Sequence, residues 1–261
     1  MFTPLTDPAD ERLADFRDLT DADVRPDRRG IVIAEGVNVV ERLLRSGYPV
    51  RAVIGVPNKL AELAPVLAGR GIPVYEVGKW TLSDVVGFRV TRGVLAAADR
   101  PPPTDPAALL ATGRHFVVLE GINDFENLGS IFRNAAAFGV DGVLLDPRCA
   151  DPLYRRSVRV SMGNVFGVGW AVLSGSWPDS LGLLTAAGVE LLAMTPRPAA
   201  TALRDVTAPP RWALLLGAEG PGLTEGALAR AGQWVRIPMA PGVDSLNVAT
   251  AGAVALAQLC G

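Results

Sequence analysis

The segment 119–133 places polar side chains in the loop that follows an apolar run. Asn127 and Gly129 lead from this loop into a predicted helix that carries Arg133. Loops beyond the carboxyl ends of strands are where parallel sheets bind ligands. Each residue also has an ordinary structural interpretation, Asn127 as a helix cap and Arg133 as a solvated helical arginine. The local sequence leaves both interpretations open.

The segment 214–224 combines a buried strand with a glycine-rich turn. After three leucines, Gly217, Gly220 and Gly222 permit a tight turn whose backbone approaches a ligand closely. The glycine spacing is not that of a dinucleotide-binding loop, and no phosphate-loop lysine follows. Glu219 would repel a phosphate, so the turn favours a ligand with cationic or hydroxyl groups.

The segment 237–256 begins as a strand end and continues through a proline- and glycine-containing loop. Ser245 and Asn247 close this loop, and a helix of small residues follows. A loop, a helix cap and a buried helix would account for the same pattern. Gly252 and the neighbouring alanines permit close packing against another helix or against a partner subunit.

Several kinds of chemistry are excluded by what the sequence lacks. His115 is the only histidine, it is interpreted as a loop residue just before a strand, and no G-x-S-x-G elbow accompanies it. Cys149 and Cys260 are too few for a disulfide framework, and no Cys or His pair has metal-ligand spacing. We therefore expect neither a serine triad nor a metal.

Charge and hydropathy indicate a globular protein without an obvious polyanionic partner. The net charge is −2, and arginine supplies almost all of the positive charge. No apolar run is long enough to span a bilayer, and the acidic N-terminus lacks the order of a signal peptide. A cytoplasmic location and no membrane contact are the expectation.

A proline-rich segment divides the chain. Residues 100–106 contain four prolines, which can continue neither a helix nor a central strand. We therefore predict a small α/β domain over 1–105, ending in this linker, and a second domain over 106–261. In the first domain the pattern predicts strands at 30–34, 50–54, 73–77 and 94–98 and helices at 37–46 and 59–69.

The second domain alternates apolar strands with helices more strongly. Predicted strands lie at 115–119, 142–145, 189–194, 212–216 and 234–237, and predicted helices at 130–138, 151–162, 180–187 and 223–231. Short apolar strands separated by helices indicate an α/β fold with a parallel sheet covered on both faces.

Taken together, the three segments resemble the signature motifs of a known family. They read N-x-G-x-x-x-R, L-x-x-G-x-E-G-x-G and I-P-M-x-x-x-x-x-S-L-N-V-A, in that order. These are similar to the motifs of the SpoU (TrmH-like) class of SPOUT RNA methyltransferases, across roughly residues 113–261. More loosely, the first domain, with Ile33-Ala-Glu-Gly36 before a helix, resembles the ribosomal-protein-like substrate-binding domain found ahead of such enzymes.

The resemblance implies a fold, a cofactor and an assembly. It implies that the C-terminal region forms a deep trefoil knot around S-adenosyl-L-methionine, and that the enzyme is a homodimer. Gly217, Ile237 and Leu246 would line the cofactor pocket, with Thr195 and Met239 as further members.

The reaction implied is methyl transfer to a ribose 2'-hydroxyl of RNA. The resemblance assigns substrate activation to Arg133, either as a base or by stabilising the developing alkoxide. Asn127 would orient Arg133 or the ribose, and Glu219 would contribute hydrogen bonds. Ser245 and Asn247 would organise the cofactor loop.

Two arginine clusters are candidates for RNA contact. Arg155, Arg156 and Arg159 lie on a predicted helix, and Arg28 and Arg29 precede the first strand. Phosphate contact and ordinary solvated charge explain both clusters equally well. Ribosomal RNA is favoured over transfer RNA as the substrate.

Two other functions compete with RNA methylation. A non-catalytic RNA-binding paralogue would be expected to lose part of the three motifs, and a nucleotide- or sugar-binding enzyme would need a phosphate loop or a triad. The chain keeps the motifs and has neither of the latter features.

Overall fold

The computed structural model describes residues 2–20 and 30–261 of the chain. These residues form two compact units, each described by itself. The first consists of residues up to 102 together with 152–167, and the second of 103–151 together with 168–261. None of the helices within the described residues is long and apolar enough to cross a membrane.

Twelve strands and nine α-helices are found among the described residues. The strands are β1 (Thr3–Pro4), β2 (Ile31–Glu35), β3 (Val50–Gly55), β4 (Val74–Glu76), β5 (Val94–Asp99), β6 (His115–Glu120), β7 (Gly142–Leu145), β8 (Gly169–Val172), β9 (Glu190–Met194), β10 (Thr201–Ala202), β11 (Trp212–Gly217) and β12 (Gln233–Arg236). The helices are α1 (Val37–Arg45), α2 (Pro57–Leu67), α3 (Lys79–Val86), α4 (Pro106–Thr112), α5 (Phe125–Ala137), α6 (Arg155–Val160), α7 (Gly182–Ala186), α8 (Glu225–Arg230) and α9 (Val248–Leu259).

The first unit is a five-stranded mixed sheet with helices against it. Its strand order is β1-β4-β3-β5-β2, and β5 runs antiparallel to both of its neighbours. All four predicted strands and both predicted helices of this region are present, with ends displaced by a few residues. Helix α3 was not predicted, although its buried Leu82, Val85 and Val86 have helical spacing between Gly78 and Gly87.

The segment 152–167 packs within the first unit, whereas the sequence had assigned it to the second domain. Arg155 on α6 forms an ion pair with the buried Glu35 at 3.2 Å, and its guanidinium lies 4.5 Å from the centroid of the Phe88 ring. Phe166 makes an edge-on ring contact with Tyr48. These contacts join residues more than 60 positions apart, so sequence periodicity carries no sign of them. The helix itself is shorter than the predicted 151–162.

The second unit is built on a seven-stranded sheet in the order β10-β12-β9-β11-β6-β7-β8. Every neighbouring pair is parallel, which confirms the predicted α/β fold with a parallel sheet. The five predicted strands are present, and β8 and β10 are additional. Both lie at sheet edges and are too short and too interrupted by glycine or polar residues for their pattern to stand out.

Helices cover both faces of this sheet. One face packs apolar strand residues against α4, α7 and α8, with Leu110, Leu184 and Leu228 in the same core. Helices α5 and α9 are also in contact, and the Asn134 amide of α5 donates to the Ala249 carbonyl of α9 at 2.9 Å. Because the strands are parallel, the loops that follow them all emerge at one edge of the sheet.

Candidate active site

A cavity of about 510 Å³ lies at the carboxyl edge of the second sheet. Its walls come from the loops that follow β9, β11 and β12 and from the first turn of α9. All five residues predicted to bind a cofactor line it, namely Thr195, Gly217, Ile237, Met239 and Leu246. Glu219, Ser245 and Asn247 line it as well. The structure therefore gathers these eight predicted residues in one pocket, and their roles there stay predictions.

The backbone of the glycine turn folds tightly against itself, and the absence of side chains at its glycines leaves space for a ligand. A Cβ atom built on Gly217 would lie 2.4 Å from the carbonyl carbon of Gly222, so only glycine is accommodated there. Gly220 and Gly222 have φ angles of +84° and +68°, in the left-handed region that glycine adopts without strain. The turn thus presents backbone groups, rather than side chains, to that part of the cavity.

Asn247 connects all three sequence segments. Its amide nitrogen donates to Asn127 Oδ1 at 2.7 Å and to Glu219 Oε1 at 2.6 Å. Its amide oxygen accepts the backbone N–H of Thr250 at 3.1 Å and so caps α9. One side chain therefore fixes the start of α9 relative to the glycine turn and to α5.

Asn127 does not cap α5, and this structural interpretation of the sequence is wrong. Helix α5 begins at Phe125, five residues before the predicted start, and its cap is Asp124. The Asp124 carboxylate accepts the backbone N–H groups of Glu126 and Asn127 at 2.9 and 2.8 Å. This leaves the Asn127 side chain inside the first helical turn, where it meets Asn247.

Arg133 does not reach the wall of the cavity. It lies on α5, six residues beyond Asn127, and its side chain is exposed. Among the described residues no partner accepts a hydrogen bond from its guanidinium or forms an ion pair with it. Within the part of the chain that the structure describes, the guanidinium is therefore free to contact an external ligand.

A polar cluster with two buried carboxylates, next to the cavity, was not predicted. Glu120 ends β6 and Asp146 follows β7, and both carboxylates are almost fully buried. Arg148 pairs with both of them, at 3.3 Å to Glu120 and 2.8 Å to Asp146. The available signal was an acidic residue directly after an apolar strand, where burial of the charge demands a partner.

The arginine clusters differ in what the structure shows of them. Arg28 and Arg29 lie outside the described residues. Arg155 is largely buried in its pair with Glu35, which excludes a solvated charge, one of the two interpretations that the sequence left open. Arg156 is exposed and Arg159 is half-buried on the same helix.

His115 lies away from the cavity. It is the first residue of β6, rather than a loop residue before it, and its ring stacks on Trp212 at 4.9 Å between centroids. The cavity is at the opposite end of the sheet, so the histidine cannot act in it. No cluster of metal-ligating side chains is found in the described part of the chain.

The fold and the site define an α/β protein with a ligand pocket beyond the strand ends of a parallel sheet. The sequence profile described as the SpoU rRNA Methylase family matches residues 114–257. This match covers more than half of the chain and contains the glycine turn, Asn127, Arg133 and Asn247. The chain therefore belongs to the SpoU rRNA methylase family, as its motifs predicted.

Individual relatives agree with this assignment. A Mycobacterium tuberculosis protein described as an uncharacterized tRNA/rRNA methyltransferase is 52% identical over 255 residues, which cover 95% of this chain and 88% of that protein. The AdoMet-bound rRNA methyltransferase of Sinorhizobium meliloti is 26% identical, with a TM-score of 0.80 over 99% of this chain and 97% of that one. A solved RNA 2'-O ribose methyltransferase, 24% identical, shares the fold with a TM-score of 0.79 over 98% of each chain.

Proposed function

We propose that this SpoU-class RNA methyltransferase transfers a methyl group from S-adenosyl-L-methionine to a ribose 2'-hydroxyl, with ribosomal RNA as the favoured substrate. The observation that carries the proposal is the meeting of the three segments at Asn247, on the wall of a cavity of ligand size. Arg133, exposed on the same helix as Asn127, supplies a cation for the substrate.

The residues of the cavity fit S-adenosyl-L-methionine. Its volume of about 510 Å³ is in the range of small-molecule sites. Apolar walls from Leu216, Ile237 and Val248 suit a flat aromatic base, and the backbone groups of Gly217, which lines the cavity, suit the polar edge of such a base. When bound, this cofactor supplies an electrophilic methyl group.

The chain's own groups then act on the ribose hydroxyl. An arginine side chain remains protonated in proteins and is therefore a poor general base. We therefore assign Arg133 to stabilising the negative charge that develops on the hydroxyl oxygen, rather than to removing its proton. Asn127 and Glu219 position the substrate, and Ser245 and Asn247 hold the cofactor loop.

Four further features belong to the same proposal and derive from the resemblance of the motifs. They are a trefoil knot in the C-terminal region, a homodimer, an RNA-binding role for the domain over 1–105, and action in the cytoplasm. The close approach of the 217–222 turn and the 237–248 loop around one cavity is compatible with a knot. Sedimentation of the purified chain at several concentrations tests the dimer.

The proposal is tested by binding and by turnover. Calorimetry with S-adenosyl-L-methionine should give saturable binding, and mapping of 2'-O-methylation in a deletion strain should reveal one missing site, in ribosomal rather than transfer RNA.

Arg133→Ala should abolish methyl transfer and keep cofactor affinity within about twofold, since its guanidinium does not line the cavity. Near-normal turnover by that variant would remove Arg133 from the mechanism.

A further inference from the structure

The two ends of the glycine turn are both attached to one buried residue, Glu120. Through its backbone, Glu120 is the partner of Gly217 in the register of β6 and β11. Through its side chain, which is 3% exposed, it binds Thr224 at the other end of the turn. Its Oε2 accepts the Thr224 backbone N–H at 3.0 Å, and its Oε1 accepts the Thr224 hydroxyl at 2.8 Å.

The Glu120 carboxylate is itself held in one orientation. The indole N–H of Trp177 donates to its Oε1 at 2.6 Å, and Arg148 Nη2 donates to the same oxygen at 3.3 Å. Arg148 is fixed in turn by Asp146, which accepts from its Nε at 3.0 Å and from its Nη2 at 2.8 Å. Both carboxylates of this network are buried and each accepts several hydrogen bonds, so each partner restricts the others, although the Arg148 side chain itself is exposed.

The position of Thr224 determines the shape of the cavity wall. Gly222, two residues earlier, lines the cavity, and Leu223 between them is buried in the core. The backbone of Gly222 packs against Gly217, where a Cβ atom would lie only 2.4 Å from the Gly222 carbonyl carbon and could not be accommodated without movement. A displacement of Thr224 would therefore alter the space at Gly217, where the cofactor is proposed to bind.

We propose that Glu120 is a positioning residue of the cofactor pocket, which holds the 217–224 turn in its binding shape without touching the ligand. The inference rests on the proposed function of that pocket. A turn that is already ordered before binding loses less entropy when the ligand arrives, so the network increases affinity for the cofactor.

The first test is the substitution Glu120→Gln. In glutamine an NH2 group replaces one carboxylate oxygen. That NH2 group faces a hydrogen-bond donor and cannot accept from it, so the turn loses at least one hydrogen bond. We expect the Kd and the KM for S-adenosyl-L-methionine to rise about tenfold, and kcat to change by less than about twofold. Glu190→Gln, which removes an exposed carboxylate at the other end of the sheet, is the matched control and should change neither constant.

A second pair of variants keeps the test open if Glu120→Gln does not fold. Thr224→Val removes the hydroxyl whose hydrogen bond Glu120 accepts, whereas Thr224→Ser retains that hydroxyl. The Thr224 hydroxyl also caps α8 by accepting from the backbone N–H of Ala227, so Thr224→Val should lower the unfolding midpoint as well. We expect weaker cofactor binding in Thr224→Val and near-normal binding in Thr224→Ser.

A measurement on the ligand-free protein completes the test. Hydrogen exchange at the Thr224 amide should accelerate in Glu120→Gln, because that N–H loses its acceptor. Unchanged cofactor affinity in both Glu120→Gln and Thr224→Val, with only a lower unfolding midpoint, overturns the positioning role and leaves the proposed function intact. Absence of cofactor binding by the unmodified chain overturns the proposed function and this inference together.

Discussion

At the scale of single residues, the site depends on side chains that serve two elements at once. Asn247 both caps α9 and donates to Asn127 and Glu219. An amide can do both, because its oxygen serves the cap and its two N–H groups serve the other two partners, whereas a hydroxyl has only one donor. This dual demand is a physical reason for an asparagine at the end of the third segment.

Substitution of Asn247 by aspartate separates these two duties. Asn247→Asp keeps the cap but loses both donated hydrogen bonds, and it places a second carboxylate beside Glu219. We expect the folded structure to persist and the affinity for S-adenosyl-L-methionine, measured by calorimetry, to fall about tenfold. In the double variant with Glu219→Gln, the new amide donates to the aspartate and part of the affinity should return. Full affinity in the single variant would contradict this role.

The two cysteines should differ in their reactivity. Burial, and next the nearby charge of Asp146, raise the pKa of the Cys149 thiol to about 12. Burial also raises the pKa of the Cys260 thiol, which is less buried than Cys149. At pH 8, therefore, iodoacetamide should modify Cys149 more slowly than Cys260, as followed by mass spectrometry, and at equal rates in denaturant.

The same pKa predicts a loss of stability in alkali. Because the folded-state pKa of Cys149 lies above the ordinary thiol value of 9.0, its contribution to stability is complete below about pH 9. That contribution decreases as the pH rises towards 12, where the folded state also loses the proton. A Cys149→Ala variant should therefore show a flatter alkaline decline in its unfolding midpoint.

At the scale of elements, the close packing of the end of β11 against the turn that follows it explains why the second motif has a glycine at position 217. Sequence patterns placed β11 within one residue of its observed end. They also identified a turn with close backbone approach. They could not show that the approach is to the chain's own Gly222, because that contact depends on how the turn folds back.

Gly217→Ala tests this fit. The added methyl would contact backbone atoms that cannot rotate away, so the turn must shift. We expect at least a tenfold loss of cofactor affinity, together with a lower unfolding midpoint. Gly182→Ala is the control, because a Cβ atom there meets nothing within 4 Å and the backbone is helical. Equal cofactor affinity in the two variants would contradict the constraint at Gly217.

At the scale of the whole molecule, the first unit contains a segment that is distant in sequence. Residues 152–167 are anchored there by Arg155, whose side chain is 16% exposed and whose partner Glu35 is 5% exposed. A buried ion pair adds little compared with apolar residues of the same size, but its disruption leaves one charge unpaired in the interior. The segment is therefore sensitive to the loss of this one side chain.

Arg155→Met should destabilise the protein substantially. Leaving Glu35 buried without its partner should cost about 3 kcal/mol of unfolding free energy, measured by denaturant titration. Arg45→Met removes an exposed arginine paired with Glu41 on α1 and should cost less than about 0.5 kcal/mol. Similar losses in the two variants would mean that the Glu35 pair does not anchor the segment.

Most of the regular elements could be predicted from the sequence alone, because apolar periodicity reports burial directly. The five inner strands of the second sheet, the family and the residues that line the cavity follow from pattern and motif. Tertiary structure decided the rest. It placed Asp124 rather than Asn127 at the cap of α5, joined 152–167 to the first unit, and connected Glu120, Asp146 and Arg148 in one network. The placement of 152–167 and the pairing of Glu120 with Arg148 and Thr224 depend on contacts between residues far apart in the chain, and local sequence carries no record of which distant partner satisfies a buried charge. The Asp124 cap is a local contact, and the position at which α5 begins decided it.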